Sequence, residues 1–236
     1  MKVLELFAGN GVISNAFRER GHEAYTVDWN DSLSLSLCAD ISKLQKEDVL
    51  DLCGGYPDII WASPDCTTYS VAGIGNHRRL NPYTYELEPI SEYATFCDGC
   101  NRHLVDLIHD LHPTYFFIEN PRGGLRTMPF MVGIPRYTVT YCQYGEERMK
   151  PTDIWTNHPN PRFMPPCKNG DPCHVRTPRH SRVGTQALRN PLERAKIPEL
   201  LCNHIVDICE NPEIKGIDHN SFTVGAAKQI RLDGFY

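Results

Sequence analysis

Between residues 1 and 120 the chain alternates strand-like and helix-like stretches, and that alternation limits its possible folds more than any other feature. "MKVLEL" reads as a short buried strand that runs into the glycine turn "FAGNG". "VISNAFRERG" follows, with Val12, Ile13, Ala16 and Phe17 on one helical face and Gly21 as its stop. "HEAYTVDWN" is a second strand ending at Asp28, "KEDVLDLCG" a short helix and "PDIIWASP" a further strand. A long helix over "ISEYATFCDGCNRHLVDLIHDLHP" is stopped by Pro113, and "TYFFIENP" is again a strand. "YTVTYCQYG" and "DIWTN" add a strand pair. Strands joined through helices need crossover connections, so the expected architecture is a doubly wound α/β sheet.

Beyond about residue 157 the regular pattern fails. "PNPRFMPPCKNGDPCHVRTPRHSRVGTQ" is rich in proline, glycine and basic residues and reads as an ordered loop or small lobe, after which "NPLERAKIPELLCNHIVDICE" restores helical periodicity. The expected division is a catalytic domain over 1–157, a small basic lobe over 158–190 and a C-terminal helical segment over 191–236. The formal charge of the chain is −5, yet Arg162 to Lys196 carries +6 and the remainder −11. A basic block on an acidic body suits a surface that meets a polyanion; its plain alternative is a solvated loop. No apolar run approaches 18 residues, and the N-terminus lacks a basic then apolar leader, so neither a membrane span nor a signal peptide is expected. Ten cysteines without a leader point to a reducing compartment, the cytoplasm.

Chemistry-bearing residues collect where strands end. In "LELFAGNG" a strand passes through G-x-G into a helix, which lets the backbone approach a ligand. Asp28 ends the second strand where an acid can accept from ribose hydroxyls, and Asp40 follows where another could meet an adenine amino group. The loop lacks the third glycine of a dinucleotide fingerprint, and no phosphate-binding G-x-x-x-x-G-K-[ST] occurs, so a nucleoside cofactor without pyrophosphate is expected. Cys66, in "SPDCTT", follows a strand end, with Pro64 stiffening the approach and Asp65 disfavouring a thiolate. Glu119, in "FFIENPRGG", ends another strand among Phe116, Phe117 and Ile118; apolar neighbours raise a carboxyl pKa and suit it to donate a proton.

"FAGNG", an acid at a strand end, "SPDC" and "IENP", in this order, resemble the cytosine-C5 DNA methyltransferase family, whose pattern is F-x-G-x-G, P-C, E-N-V. The resemblance covers residues 3–157 and, more loosely, 176–210. It implies a Rossmann-like methyltransferase sheet with a small, loop-rich target-recognition lobe. It further implies S-adenosyl-L-methionine against Phe7, Ala8, Gly9, Asn10 and Gly11, with Asp28 on its ribose, Asp40 on its adenine, and Trp29, Ile41 and Pro64 completing the site. Cys66 would add to C6 of a cytosine flipped out of double-stranded DNA, and Glu119 would hold N3 and the exocyclic amine. The sequence departs from the pattern at Asp65 and Thr67, where the family has proline and glutamine, and at Pro121, where it has valine. In place of Q-x-R-x-R stands "YCQYGEERMKPTDIW", so Arg148 and Lys150 would take the arginines' part; Asn220 is the candidate for the final G-N motif. Arg122, Arg176, Arg179 and Arg182 would contact nucleic acid. A tRNA cytosine, or a catalytically idle DNA-binding relative, are the alternatives. Free reduced thiols are the default for the other cysteines; a structural zinc on Cys97, Cys100, Cys167 and Cys173, near His174, is the alternative. Cys202 and Cys209, seven apart on a helix, are expected core positions.

Overall fold

The computed structural model describes residues 1–175 and 194–212. Among these residues the strands are β1 (Lys2–Leu6), β2 (Glu23–Asp28), β3 (Leu37–Cys38), β4 (Ile59–Ala62), β5 (Arg78–Leu80), β6 (Leu87–Pro89), β7 (Tyr115–Pro121), β8 (Arg136–Thr140) and β9 (Pro151–Thr156). The helices are α1 (Val12–Glu19), α2 (Lys46–Cys53), α3 (Ile74–His77), α4 (Glu92–Leu111) and α5 (Glu199–Glu210). Seven strands form one sheet in the order β3-β2-β1-β4-β7-β9-β8. The first five are parallel; β9 runs antiparallel to β7, and β8 antiparallel to β9. The doubly wound α/β architecture expected from the alternation is therefore present, with the predicted strand pair as its reversed edge.

Side-chain alternation along the strands builds two cores. On one face Leu4, Leu6, Ile60, Ala62 and Ile118 pack with Val49 of α2 and Leu104, Leu107, Ile108 and Leu111 of α4. On the other, Val3, Ile59, Trp61 and Phe117 pack with Ile13 and Phe17 of α1 and Leu201, Cys202, Ile205 and Cys209 of α5. Strands buried on both faces read as unbroken apolar runs, which is why "DIIWA" and "YFFI" look as they do. Each large side chain fully buried there, such as Phe17, stabilises the fold by about 1.5–3 kcal/mol. α5 is tied to the α1 end by Arg20, whose guanidinium meets Asp207 at 2.8 Å and Glu210 at 3.1 Å. Cys202 and Cys209 are core residues, as their spacing predicted.

Several local boundaries follow from identifiable causes. α4 starts at Ser91, whose hydroxyl accepts from the Ala94 N–H at 3.1 Å, and ends with His112 at φ 45°, just before Pro113. α1 has a less usual start: the carboxylate of Glu5, buried on β1, accepts from Ser14 N–H at 2.7 Å and Ile13 N–H at 3.4 Å. The sequence reading left residues 71–90 without elements, whereas the structure folds them into α3 and the β5–β6 hairpin. Three-residue strands carry too little periodicity to be read from a single sequence. Among the described residues no helix is long and apolar enough to cross a membrane.

Candidate active site

β1, β4 and β7 all end at one edge of the sheet, and β9 begins there, since Pro121 of β7 pairs with Thr152 of β9. This edge gathers the glycine loop after β1, Asp28 and Trp29 after β2, Pro64 and Cys66 after β4, Glu119 on β7, Arg122 just beyond it, and Lys150 just before β9.

The glycine loop is held from two sides. Gly9 (φ 51°) and Gly11 (φ 64°) adopt left-handed backbone, as does Phe7 (φ 56°). Gly9 N–H donates to Asp28 Oδ2 at 3.0 Å, and Asn30 N–H donates to Oδ1 at 3.1 Å. Each Asp28 oxygen keeps a further lone pair. A Cβ on Gly9 would meet nothing within 4 Å, so the loop opens onto free space, and Trp29 beside it is 74% exposed. Glu5 takes the N–H groups of Ile13 and Ser14 in the first turn of α1 with a buried carboxylate, so negative charge already stands at this helix start. Asp40 caps the turn over Ile41–Lys43: its Oδ1 accepts from the Ser42 N–H and hydroxyl, and these bonds hold its pKa below the usual range. The Ile41 side chain is buried in the first core.

Cys66 is half-buried on a tight turn, its carbonyl accepting from Ser70 N–H at 2.8 Å and Tyr69 N–H at 3.1 Å. Burial pushes its thiol up to about 11, and the negative charges of Glu119 and Asp65 add to that; the cationic Lys150 works the other way. Glu119 is buried, and Tyr141 Oη donates to its Oε1 at 2.9 Å. Burial raises the Glu119 pKa, Lys150 and the Tyr141 bond oppose the rise, and Asp153 adds to it. Both directions are those expected from the sequence neighbours. Asn120 Nδ2 donates to the Pro64 carbonyl at 2.9 Å, fastening the end of β7 to the approach to Cys66.

Lys150 and Arg148 separate in role. Lys150 is buried with its ammonium over the Tyr141 ring at 4.4 Å, and it donates to the Arg194 carbonyl at 2.8 Å. Burial lowers its pKa, while Glu119 and Cys66 raise it, so the three groups share one electrostatic site. Arg148 is held by Glu146 at 2.6 Å. Arg122 is exposed at the same edge, its N–H donating to the Pro151 carbonyl at 2.9 Å. Arg176, Arg179, Arg182 and Asn220 lie outside the described residues.

The Cys66 turn has a support that the sequence reading missed. Arg78, on β5, is fully buried and meets Asp98 of α4 at 2.7 Å, with further bonds to the Thr68 carbonyl at 2.9 Å and Thr68 Oγ1 at 3.0 Å. Tyr69 Oη donates to Asp98 at 2.7 Å, and the guanidinium lies 4.0 Å from the Tyr69 ring centre. Gly123 and Gly73 allow close backbone approach here, because a Cβ would run into the Tyr69 carbonyl at the first and the Thr67 carbonyl at the second. Asp98 sits inside the C-x-x-C that drew attention to its cysteines, while the signal worth reading was the acid between them.

The alternative zinc set drawn from sequence, Cys97, Cys100, Cys167 and Cys173, is not brought together. Cys97 and Cys100 are buried along α4, with Cys97 in the first core. Cys167 and Cys173 instead gather with Cys142 and His174, beside the tyrosines 141 and 144 of the second core. A helical C-x-x-C on one sheet face cannot join a loop on the other.

No catalogued family model matches the chain. A protein of Frog virus 3 (isolate Goorha), described as a probable DNA (cytosine-5)-methyltransferase, is 29% identical over 159 residues, covering 66% of this chain and 71% of that protein. Among solved structures, a protein encoded within an Escherichia coli prophage and described as a DNA modification methyltransferase is similar at TM-score 0.48 and 17% identity, covering 66% of this chain and 46% of that one. The S. pombe Dnmt2 methyltransferase is similar at TM-score 0.45 and 15% identity, covering 66% of this chain and 50% of that one. The chain thus spans about half the length of these solved proteins. The motif resemblance to the cytosine-C5 methyltransferases is borne out by the curated relative.

Proposed function

We propose that this chain, as a relative of the cytosine-5 DNA methyltransferases, methylates C5 of a cytosine in double-stranded DNA through a covalent adduct on Cys66. The observation that carries the reading is the placement of Cys66 and Glu119 at the same ends of the adjacent parallel strands β4 and β7, fastened by the 2.9 Å bond from Asn120 to the Pro64 carbonyl, at the edge that also bears the glycine loop. Activity, substrate and partner are all part of this proposal.

The cofactor cradle fits a nucleoside. Gly9 faces open space, Asp28 retains acceptor capacity at the end of β2, Trp29 presents an uncovered aromatic ring, and the Glu5 carboxylate already meets the first turn of α1. Phe7 to Gly11, Asp28, Trp29 and Pro64 would hold S-adenosyl-L-methionine, with Asp40 and the Ile41 backbone at the adenine end. When bound, that group supplies an electrophilic methyl.

The chain's own residues do the rest. Cys66 Sγ, once ionised, forms a bond to C6 of the cytosine, and the electron pair moves toward C5 and N3. Glu119, whose pKa burial raises, donates toward N3 in its protonated form and stabilises that charge. Lys150 favours the thiolate form of Cys66 and the charge that develops beside it. After C5 has been substituted, loss of its proton to a base and cleavage of the C6–S bond return the thiolate. A stacked base hides C6, so the cytosine must leave the helix, and Arg122 with the basic stretch from Arg162 to Lys196 would hold the backbone meanwhile.

The test is transfer of labelled methyl from S-adenosyl-L-methionine to duplex DNA and, separately, to tRNA. Incorporation into DNA cytosine that is lost in Cys66→Ser, with cofactor binding retained, is expected. Incorporation into tRNA alone would move the substrate to RNA, and loss of cofactor binding in Cys66→Ser would contradict the role given to the thiol.

A further inference from the structure

Three thiols and an imidazole converge away from the candidate active site. Cys142 lies in the turn after β8, Cys167 and Cys173 flank a tight loop, and His174 follows directly. Their ligand atoms all lie within 4.8 Å of one another. Cys173 Sγ is 3.8 Å from Cys142 Sγ; His174 Nδ1 is 3.6 Å from Cys167 Sγ and 3.5 Å from Cys173 Sγ.

Those separations are the edges of a coordination tetrahedron. Bonds of about 2.3 Å to sulfur and about 2.0 Å to nitrogen, at tetrahedral angles, put sulfur atoms about 3.8 Å apart and sulfur about 3.5 Å from nitrogen. The Cys142–Cys167 pair, at 3.0 Å, is closer than such an edge and well beyond the about 2.0 Å of a disulfide. A central cation would separate it by under an ångström. The loop is built to hold the set: Gly170 turns it at φ 100°, Lys168 N–H donates to Asp171 Oδ2 at 2.6 Å, and Cys167 N–H donates to Thr140 Oγ1 at 3.0 Å. Metal on Nδ1 puts the proton on Nε2, so the long 3.4 Å contact from Gly170 N–H to that nitrogen is given up.

We propose that Cys142, Cys167, Cys173 and His174 form a structural zinc site of the Cys3His type. Four protein ligands leave no open position, so the role is architectural. Binding releases the thiol protons, and the ion fixes the 167–174 loop to the turn that carries Tyr141, the partner of Glu119. In sequence the basic stretch continues two residues after His174, at Arg176. The inference rests on this cluster alone and stands apart from the proposed reaction.

The full chain, purified with added Zn²⁺, is expected to retain one zinc per molecule by elemental mass spectrometry. Replacement by Co²⁺ should give the intense visible bands of tetrahedral cobalt and thiolate-to-metal charge transfer. Alkylation mapped by mass spectrometry should spare Cys142, Cys167 and Cys173 until a chelator is added. Cys142→Ser/Cys173→Ser should lose the metal, while Cys97→Ser keeps it. Absence of metal from the wild-type chain, octahedral cobalt spectra, a Cys142–Cys167 disulfide in its place, or thiols alkylated equally with and without chelator would each overturn the proposal, whatever the fold of the variants.

Discussion

At the level of single residues, the site holds ionisable groups out of water. Cys66 carries a thiol pushed up to about 11, so the resting protein holds it mainly protonated at neutral pH. Its alkylation by iodoacetamide should be slow at pH 7 and rise tenfold per pH unit toward that value. Lys150→Met removes a cation that favours the thiolate and should slow the reaction further, by about tenfold for each unit the thiol rises. A faster reaction in that variant would show that Lys150 does not act on Cys66. Glu119 gives a second handle. Its folded pKa is raised above the unfolded value, so the folded chain binds the proton more tightly. The stability this contributes is present below the unfolded pKa and lost as pH rises through the folded one. Glu119→Gln cannot titrate, so its stability relative to wild type should increase from pH 4 to pH 8 in urea unfolding; a constant difference would place the carboxyl in an unperturbed setting. Cys66 and Glu119 were legible because strand ends bearing a cysteine and an acid are unusual in apolar runs. Tyr141 was not, because its hydroxyl reaches Glu119 from across the strand pair and nothing in "YTVTY" marks which tyrosine does so.

At the scale of elements, the turn bearing Cys66 depends on parts far apart in sequence. Arg78 on β5 and Asp98 on α4 are both buried, and Thr68 and Tyr69 hang from them. Removing one charge leaves the other without a partner in a dry site, which costs about 3–5 kcal/mol, whereas replacing both with apolar groups costs far less. Arg78→Met and Asp98→Leu should each lower the urea midpoint sharply, and the double variant should recover most of the loss; additive losses would contradict the pair. The strands and α4 could be read from sequence because their periodicity is long and strong. The β5–β6 hairpin could not, with three residues a side, and the alternative zinc set took the wrong thiols because C-x-x-C spacing suggested a ligand pair while both cysteines lie buried along α4. Cys142 escaped notice because it stands alone in sequence, 25 positions before Cys167.

For the whole molecule, an acidic body carries a basic stretch that runs on past the proposed metal site. If that stretch meets a polyanion, binding to duplex DNA should weaken steeply with salt. Arg179→Ala/Arg182→Ala should reduce the logarithmic salt slope by about 2, roughly 0.9 for each phosphate no longer neutralised. An unchanged slope would remove these residues from the interface. The central claim is that Cys66 becomes bonded to a cytosine, and one experiment addresses it directly. Protein, S-adenosyl-L-methionine and duplex DNA containing 5-fluorocytosine are combined, and the denatured product is weighed and mapped by mass spectrometry. Fluorine at C5 cannot leave as a proton does, so the account predicts a stable adduct on Cys66 whose base carries an added methyl group. A product mapped to any other residue, or intact Cys66 beside a cytosine methylated in unsubstituted DNA, would contradict it.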